Sequence, residues 1–194
     1  LFRSPVNGDS EVNSWLNFGN ACNLLGQHKE AIKYYEESLA ISQKVKYRWA
    51  EADSRNGLGR VYYSLGEYQL ALEYYQESFA IKAEIGDNRG EARAKINVAL
   101  AYKFLQQPQR AIKFLKESLD IFQQIQDSEG EADSQNHLGA VYQFLEQYEQ
   151  AKTHYQASLQ IATPKEMPAV CLDVGKNYGN LEFKEGNWKD AINA

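Results

Sequence analysis

Residues 52–82, ADSRNGLGRVYYSLGEYQLALEYYQESFAIK, decide the fold. In the first half, Ala52, Leu58, Val61, Tyr62 and Leu65 recur at helical spacing, and Gly66 follows the last of them. A glycine just past the last periodic residue is a helix stop. The second half begins at Tyr68 and runs through Ala71, Leu72, Tyr75, Ser78, Phe79 and Lys82, again with period 3.6 and not 2. The triplet Gly86-Asp87-Asn88 then turns the chain. The stretch predicts two helices joined by a tight turn.

Outward from this stretch the same pattern repeats every 40 residues. Ala31, Ala71, Ala111, Ala151 and Ala191 form one column, and Gly19, Gly59, Ala99, Gly139 and Gly179 another. Ser38, Ser78, Ser118 and Ser158 keep the register, as do Ile41, Ile81, Ile121 and Ile161. Large residues recur as Leu39, Phe79, Leu119 and Leu159, and aromatics as Tyr62, Tyr102 and Tyr142. A fixed period over several copies is the signature of a repeat architecture. The columns predict helix pairs near 9–25 and 28–45, 48–65 and 68–85, 88–105 and 108–126, 128–145 and 148–162, with a fifth pair starting near 168. The expected fold class is all-α, one array over 1–194 with units at about 7–46, 47–86, 87–126, 127–166 and 167–194, the fifth incomplete. Pro108 falls at a helix start, where its missing N–H removes no bond. Pro164 and Pro168 bracket the entry to the fifth unit. Small residues such as Gly59 and Ala71 belong where two helices cross closely, and Tyr62, Tyr75 and Phe79 fill the space between pairs.

Composition agrees with a packed helical chain. The sequence is 43% hydrophobic and 24% charged, with 13 tyrosines and only 4 prolines. A net charge of −5 speaks against generic nucleic-acid binding. There is no run of 18 apolar residues, so no membrane span is expected. Cys22 and Cys171 stand far apart, outside any metal-ligand spacing, and fit a reducing, cytoplasmic setting.

The motifs resemble the tetratricopeptide repeat, whose pattern is W-x2-L-G-x2-Y followed by A-x3-F. Unit one offers Trp15-x2-Phe18-Gly19-x2-Cys22 and Ala31-x3-Tyr35. Unit two offers Leu58-Gly59-x2-Tyr62 and Ala71-x3-Tyr75, and unit four Leu138-Gly139-x2-Tyr142 and Ala151-x3-Tyr155. The period of 40 exceeds the family's usual 34 and is similar to that of kinesin light chain, the polarity adaptor Pins/LGN and bacterial tetratricopeptide signalling proteins. The resemblance implies a right-handed superhelical solenoid of antiparallel helix pairs. It also implies a concave groove, lined by the first helix of each pair, that binds a peptide segment of a partner protein.

Groove positions are the first-helix columns that the core does not use. They supply Asn13, Asn17, Asn20, Asn56, Arg60, Tyr63, Arg93, Asn97, Lys103, Asn136 and His137 as candidate peptide-binding residues. Asparagine is a mediocre helix former, so propensity does not explain its enrichment here. Its amide both donates and accepts, which suits the backbone of an extended peptide. Charge is uneven as well. Residues 89–116 hold seven basic side chains and one acidic, whereas 127–149 hold six acidic and no lysine or arginine. This asymmetry would draw an acidic ligand segment toward Arg60, Arg93 and Lys103. Lys113 and Lys116 read instead as solvated surface. A clamp of Lys, Arg and Asn for a C-terminal carboxylate is poorly matched, because Leu16, Gly57 and Asp133 occupy positions where such a clamp needs polar or cationic groups.

Catalytic chemistry is not expected. His28, His137 and His154 share no helix face at ligand spacing, and no nucleophile set or phosphate loop stands out. No enzyme activity, cofactor or metal is expected, and neither nucleic acid nor membrane is an expected partner. Two other roles fit the array: a regulatory module beside an effector domain such as an NTPase or protease, and a self-assembling spacer that dimerises through exposed array ends. The register itself generates a prediction. Ala71→Leu overpacks the helix crossing and lowers stability by about 1–3 kcal/mol, which urea unfolding will show.

Overall fold

In the computed structural model, the described residues are 5–163 and 167–184, with side chains for 10–163 and 167–182. All regular structure among them is helical: α1 (Pro5–Leu24), α2 (His28–Val45), α3 (Arg48–Ser64), α4 (Tyr68–Glu84), α5 (Asn88–Phe104), α6 (Pro108–Gln124), α7 (Ser128–Phe144), α8 (Tyr148–Ala162) and α9 (Pro168–Lys184). The all-α helical-repeat class expected from the columns is therefore present. The largest difference is at α1, which begins four residues earlier than its apolar periodicity. Pro164 and the expected second helix of the fifth unit lie outside the described residues. The chain forms two compact units, Leu1–Leu105 and Gln106–Ala194. The 40-residue sequence register runs through both.

Helices α3 to α7 are each 17 residues long and are separated by three residues, so a half-unit is 20. The turn has one design throughout. An amide five residues past a carbonyl closes it, as in Glu67 N–H to Tyr62 C=O at 2.9 Å and Gln147 N–H to Tyr142 C=O at 2.9 Å. This is the six-to-one bond of a Schellman cap, and it needs one residue with left-handed backbone. Gly26, Gly66 and Gly86 supply it, and Lys46, Gln106, Gln126 and Glu146 occupy the same place with φ between 56° and 60°. At Asp87 and Asp127 the next helix is capped as well, their carboxylates accepting the Gly90 and Gly130 N–H groups at 2.9 and 3.1 Å. Pro108 sits in the first turn of α6, as expected.

Within each unit the helix pairs are locked by two kinds of contact. The first seats an aromatic ring on a glycine. A Cβ on Gly19 would meet the Tyr35 ring at 2.7 Å, one on Gly59 the Tyr75 ring at 2.6 Å, and one on Gly139 the Tyr155 ring at 2.6 Å. Tyr35 also reaches the next pair, where a Cβ on Gly57 would lie 2.4 Å from its ring. The tyrosine column therefore packs within its own pair as well as between pairs. The second contact is a buried serine hydroxyl that donates to a first-helix carbonyl 26 residues earlier. Ser38 bonds Val12 at 3.2 Å, Ser78 bonds Ala52 at 2.9 Å and Ser158 bonds Ala132 at 2.7 Å. A hydroxyl so placed satisfies its own donor without disturbing the apolar crossing.

The core of each unit follows from these columns. In the first, Ala31, Tyr35, Leu58 and Val61 are fully buried. In the second, Ala132, Ala151, Tyr155, Ala162, Val174 and Leu181 are fully buried. Face-to-face rings extend both cores: Tyr62 on Tyr74 at 5.5 Å, and Tyr142 on His154 at 5.1 Å. His154 is thus a packing residue, and burial first, then nearby Lys116, push its imidazole below its ordinary pKa. The turn geometry generates a prediction. Glu146→Gly removes a left-handed side-chain clash and raises stability by about 0.5–1 kcal/mol in urea unfolding, the gain being reduced by glycine's greater freedom in the unfolded chain.

Candidate functional site

The candidate groove residues divide by unit. In the first unit, Asn13 and Asn17 on α1, Arg60 on α3 and Arg93 on α5 are exposed. Asn20 is half-buried and its Oδ1 accepts the Tyr35 hydroxyl at 2.8 Å. Asn56 and Asn97 are joined across α3 and α5, Asn97 Nδ2 donating to Asn56 Oδ1 at 2.8 Å. Tyr63 is half-buried, its ring edge-on to those of Tyr68 and Phe104 at 5.5 Å each. Lys103 is half-buried with its ammonium 5.2 Å from the Phe104 ring centre, and burial lowers its pKa.

In the second unit, Asn136 differs from the expectation of an outward side chain, since it is 5% exposed. The reason is the packing of α9 against α7, where Asn177 Nδ2 donates to Asn136 Oδ1 at 3.0 Å. His137 beside it is half-buried. The two asparagine pairs are related by 80 residues, two repeat units. In each, one carbonyl and one N–H are spent on the partner amide. A primary amide offers two donors and an acceptor with two lone pairs, so bonding capacity remains, held in a fixed orientation.

A cleft of about 260 Å³ opens between α3, α4 and α5 and is lined by Asp53, Asn56, Ser78, Lys82, Asp87, Arg89, Gly90, Arg93 and Ala94. It brings together Asn56 and Arg93, two of the expected groove residues. It also contains Lys82, which sequence reasoning had taken only as part of the helical period. Lys82 is 7% exposed. Its ammonium lies 2.6 Å from Asp53 Oδ1, 3.0 Å from Asp87 Oδ2 and 5.1 Å from the Trp49 ring centre. Burial pushes its pKa down, and the two carboxylates outweigh burial and hold it above the usual lysine value. The signal in the sequence was the column itself: Ser42, Phe122 and Ala162 hold the equivalent buried positions. Glu51 anchors the neighbouring surface. Burial would raise its pKa, but hydrogen bonds from Arg48, Arg55 and Gln43 prevail and lower it.

Chemistry of other kinds was sought in the same terms. Among the described residues no group of three or more His, Cys, Asp and Glu is placed to hold a metal ion. Among them, too, no helix is long and apolar enough to cross a membrane.

Polar, partly satisfied first-helix faces on a rigid helical-repeat frame define a class, the protein-interaction repeat. The tetratricopeptide repeat model matches residues 10–84 and 90–163, and the chain belongs to that family. No curated protein matches the chain by sequence. Among solved structures it is similar to BtubC (BKLC) from P. vanneervenii, at 21% identity and TM-score 0.77, covering 97% of this chain and 78% of that one. The TPR-like repeats of a Podosopora anserina kinesin light chain superpose with TM-score 0.73 at 20% identity, over 99% of this chain and 94% of that one. A Rap protein complexed with competence and sporulation factor gives TM-score 0.82 at 16% identity, over 94% of this chain. This chain spans 51% of the length of that Rap protein. At these identities the likeness is one of fold.

The asparagine geometry is testable on its own. Asn56→Ala and Asn97→Ala will show a coupling of about 0.5–1.5 kcal/mol in a double-mutant cycle of urea unfolding, whereas Asn13→Ala and Asn97→Ala will be additive.

Proposed function

We propose that this chain is a binding scaffold that holds an extended peptide segment of a partner protein against its first helices. The observation that carries the reading is the α3–α5 cleft, in which Asn56 and Arg93 meet and the Asn56–Asn97 pair is already oriented. A peptide backbone needs donors and acceptors at regular spacing, and fixed amides supply both without an ordering cost at binding. Asn13, Asn17 and Asn20 on α1 extend the polar face, and Tyr63 offers a flat, partly exposed ring. Asn136 and His137 mark the corresponding patch of the second unit.

The preferred ligand carries an acidic segment. Arg60, Arg93 and Lys103 stand on the first helices of the first unit, in the basic part of the chain, and would steer it there. The Rap protein of similar fold, which binds competence and sporulation factor, supports the reading by analogy of architecture. In this reading the chain binds and does not catalyse. Its setting is the cytoplasm, where Cys22 and Cys171 remain free thiols.

The test is affinity capture from a lysate of the source cells, comparing the native protein with a variant changed at Asn20, Asn56, Arg60, Arg93 and Asn97 together. A partner retained by the native protein and lost from the folded variant is expected, with retention weakening as salt is raised. Equal retention by both would remove these residues from the binding face.

A further inference from the structure

Tyr35, Tyr75 and Tyr155 share one column, and each is buried with its ring on a first-helix glycine. Their hydroxyls are treated differently. Tyr35 donates to Asn20 Oδ1 at 2.8 Å, and Tyr155 donates to Gln143 Oε1 at 2.6 Å. In the second pair the positions equivalent to those two acceptors hold Arg60 and Tyr63. A guanidinium has five donors and no acceptor. Tyr63 is packed edge-on against Tyr68 and Phe104. Tyr75 is 2% exposed, and among the described residues its hydroxyl proton has no acceptor.

The cations around it are in the complementary condition. Among the described residues Arg60 is exposed and meets no carboxylate at ion-pair distance, and the same holds for half-buried Lys103. Lys103 lies over Phe104, whose ring touches Tyr63. Burial raises the Tyr75 pKa first, Tyr63 adds to this, and Arg60 is near enough to oppose it. Asp53, a carboxylate one helical face away, is committed to Lys82. Donors thus converge where the repeat elsewhere provides an acceptor of its own.

We propose that Tyr75 and Arg60, with Lys103 beside them, form a subsite for the carboxylate of an Asp or Glu side chain in the bound peptide. The inference rests on the peptide-binding reading and names one contact within it. Two parallel N–H groups of Arg60 match the two oxygens of a planar carboxylate, and the Tyr75 hydroxyl donates to one of them from below. A phosphate dianion would bring a second charge and a third oxygen to a site with one guanidinium at its centre.

The test is an NMR titration of the isotope-labelled protein with three probes: Ac-Ala-Ala-Glu-Ala-Ala-NH2, its Gln counterpart and inorganic phosphate. The signals followed are Arg60 Nε–H, the Tyr75 ring and the side-chain amides of Asn56 and Asn97. The Glu peptide is expected to move Arg60 and Tyr75. Tyr75→Phe should weaken it about tenfold, as loss of a hydrogen bond to a charged group does, and Tyr155→Phe should leave it unchanged. Arg60→Asn supplies Tyr75 with an internal acceptor, as Asn20 does for Tyr35. That variant should fold with an undiminished melting temperature and bind the Glu and Gln peptides alike. Equal binding of Glu and Gln peptides by the native protein overturns the proposal. Phosphate that moves Arg60 and Tyr75 at lower concentration than the Glu peptide overturns the carboxylate assignment. Asparagine amides that respond while Arg60 and Tyr75 stay still sink the subsite and leave the peptide reading standing. Silence of all groove signals with every probe defeats both.

Discussion

The fold depends on a ring resting on a missing side chain. Tyr35 on Gly19, Tyr75 on Gly59 and Tyr155 on Gly139 draw the two helices of a pair together, because no Cβ stands between them. The serine hydroxyls of Ser38, Ser78 and Ser158 fix the same crossing from the other side by bonding first-helix carbonyls. A helix pair alone leaves the outer faces of these rings and of Leu58 or Leu138 without cover. Stacking the next pair buries them, which is why such units occur in arrays.

That frame leaves the first-helix faces free to vary, and they vary with a period of two units. Asn56–Asn97 returns as Asn136–Asn177, Tyr62–Tyr74 as Tyr142–His154, and Gln43–Glu51 as Gln123–Glu131. Ser54 and Ser134 likewise meet Ser38 and Ser118. Alternate units thus carry the same polar seams, and the family model matches the chain in two two-unit blocks. Where the alternation breaks, chemistry becomes distinctive. Lys82 stands in a column otherwise held by Ser42, Phe122 and Ala162, and Arg60 stands where Asn20 serves as an acceptor. Both departures fall in the first unit, whose first helices carry most of the candidate groove.

Much of this was legible before the structure. Residues 52–82 showed two helices by spacing alone, and Gly66 and Gly86 marked turns that do have left-handed backbone. The turns at Lys46, Gln106, Gln126 and Glu146 were hidden, because those residues carry no turn signal of their own. The candidate groove was legible as a set of columns but not as a set of environments. Asn13, Asn17, Arg60 and Arg93 face outward as read, while Asn136 is buried and Asn20 already serves a tyrosine. Lys82 was missed because helical periodicity records position and not charge, and its partners Asp53 and Asp87 lie on other elements.

By itself the sequence determined the helix-pair repeat, its 40-residue unit and which small and large residues form the crossings. Those properties are local or periodic: hydrophobic spacing, helix stops and repeated volumes are written along the chain. The tertiary structure alone decided which polar groups meet. Asn56 and Asn97 are 41 residues apart, and Tyr75 finds Arg60 where its equivalent, Tyr35, finds Asn20. Hydrogen bonding depends on distance and direction between side chains on different helices, and no one-dimensional pattern carries that information.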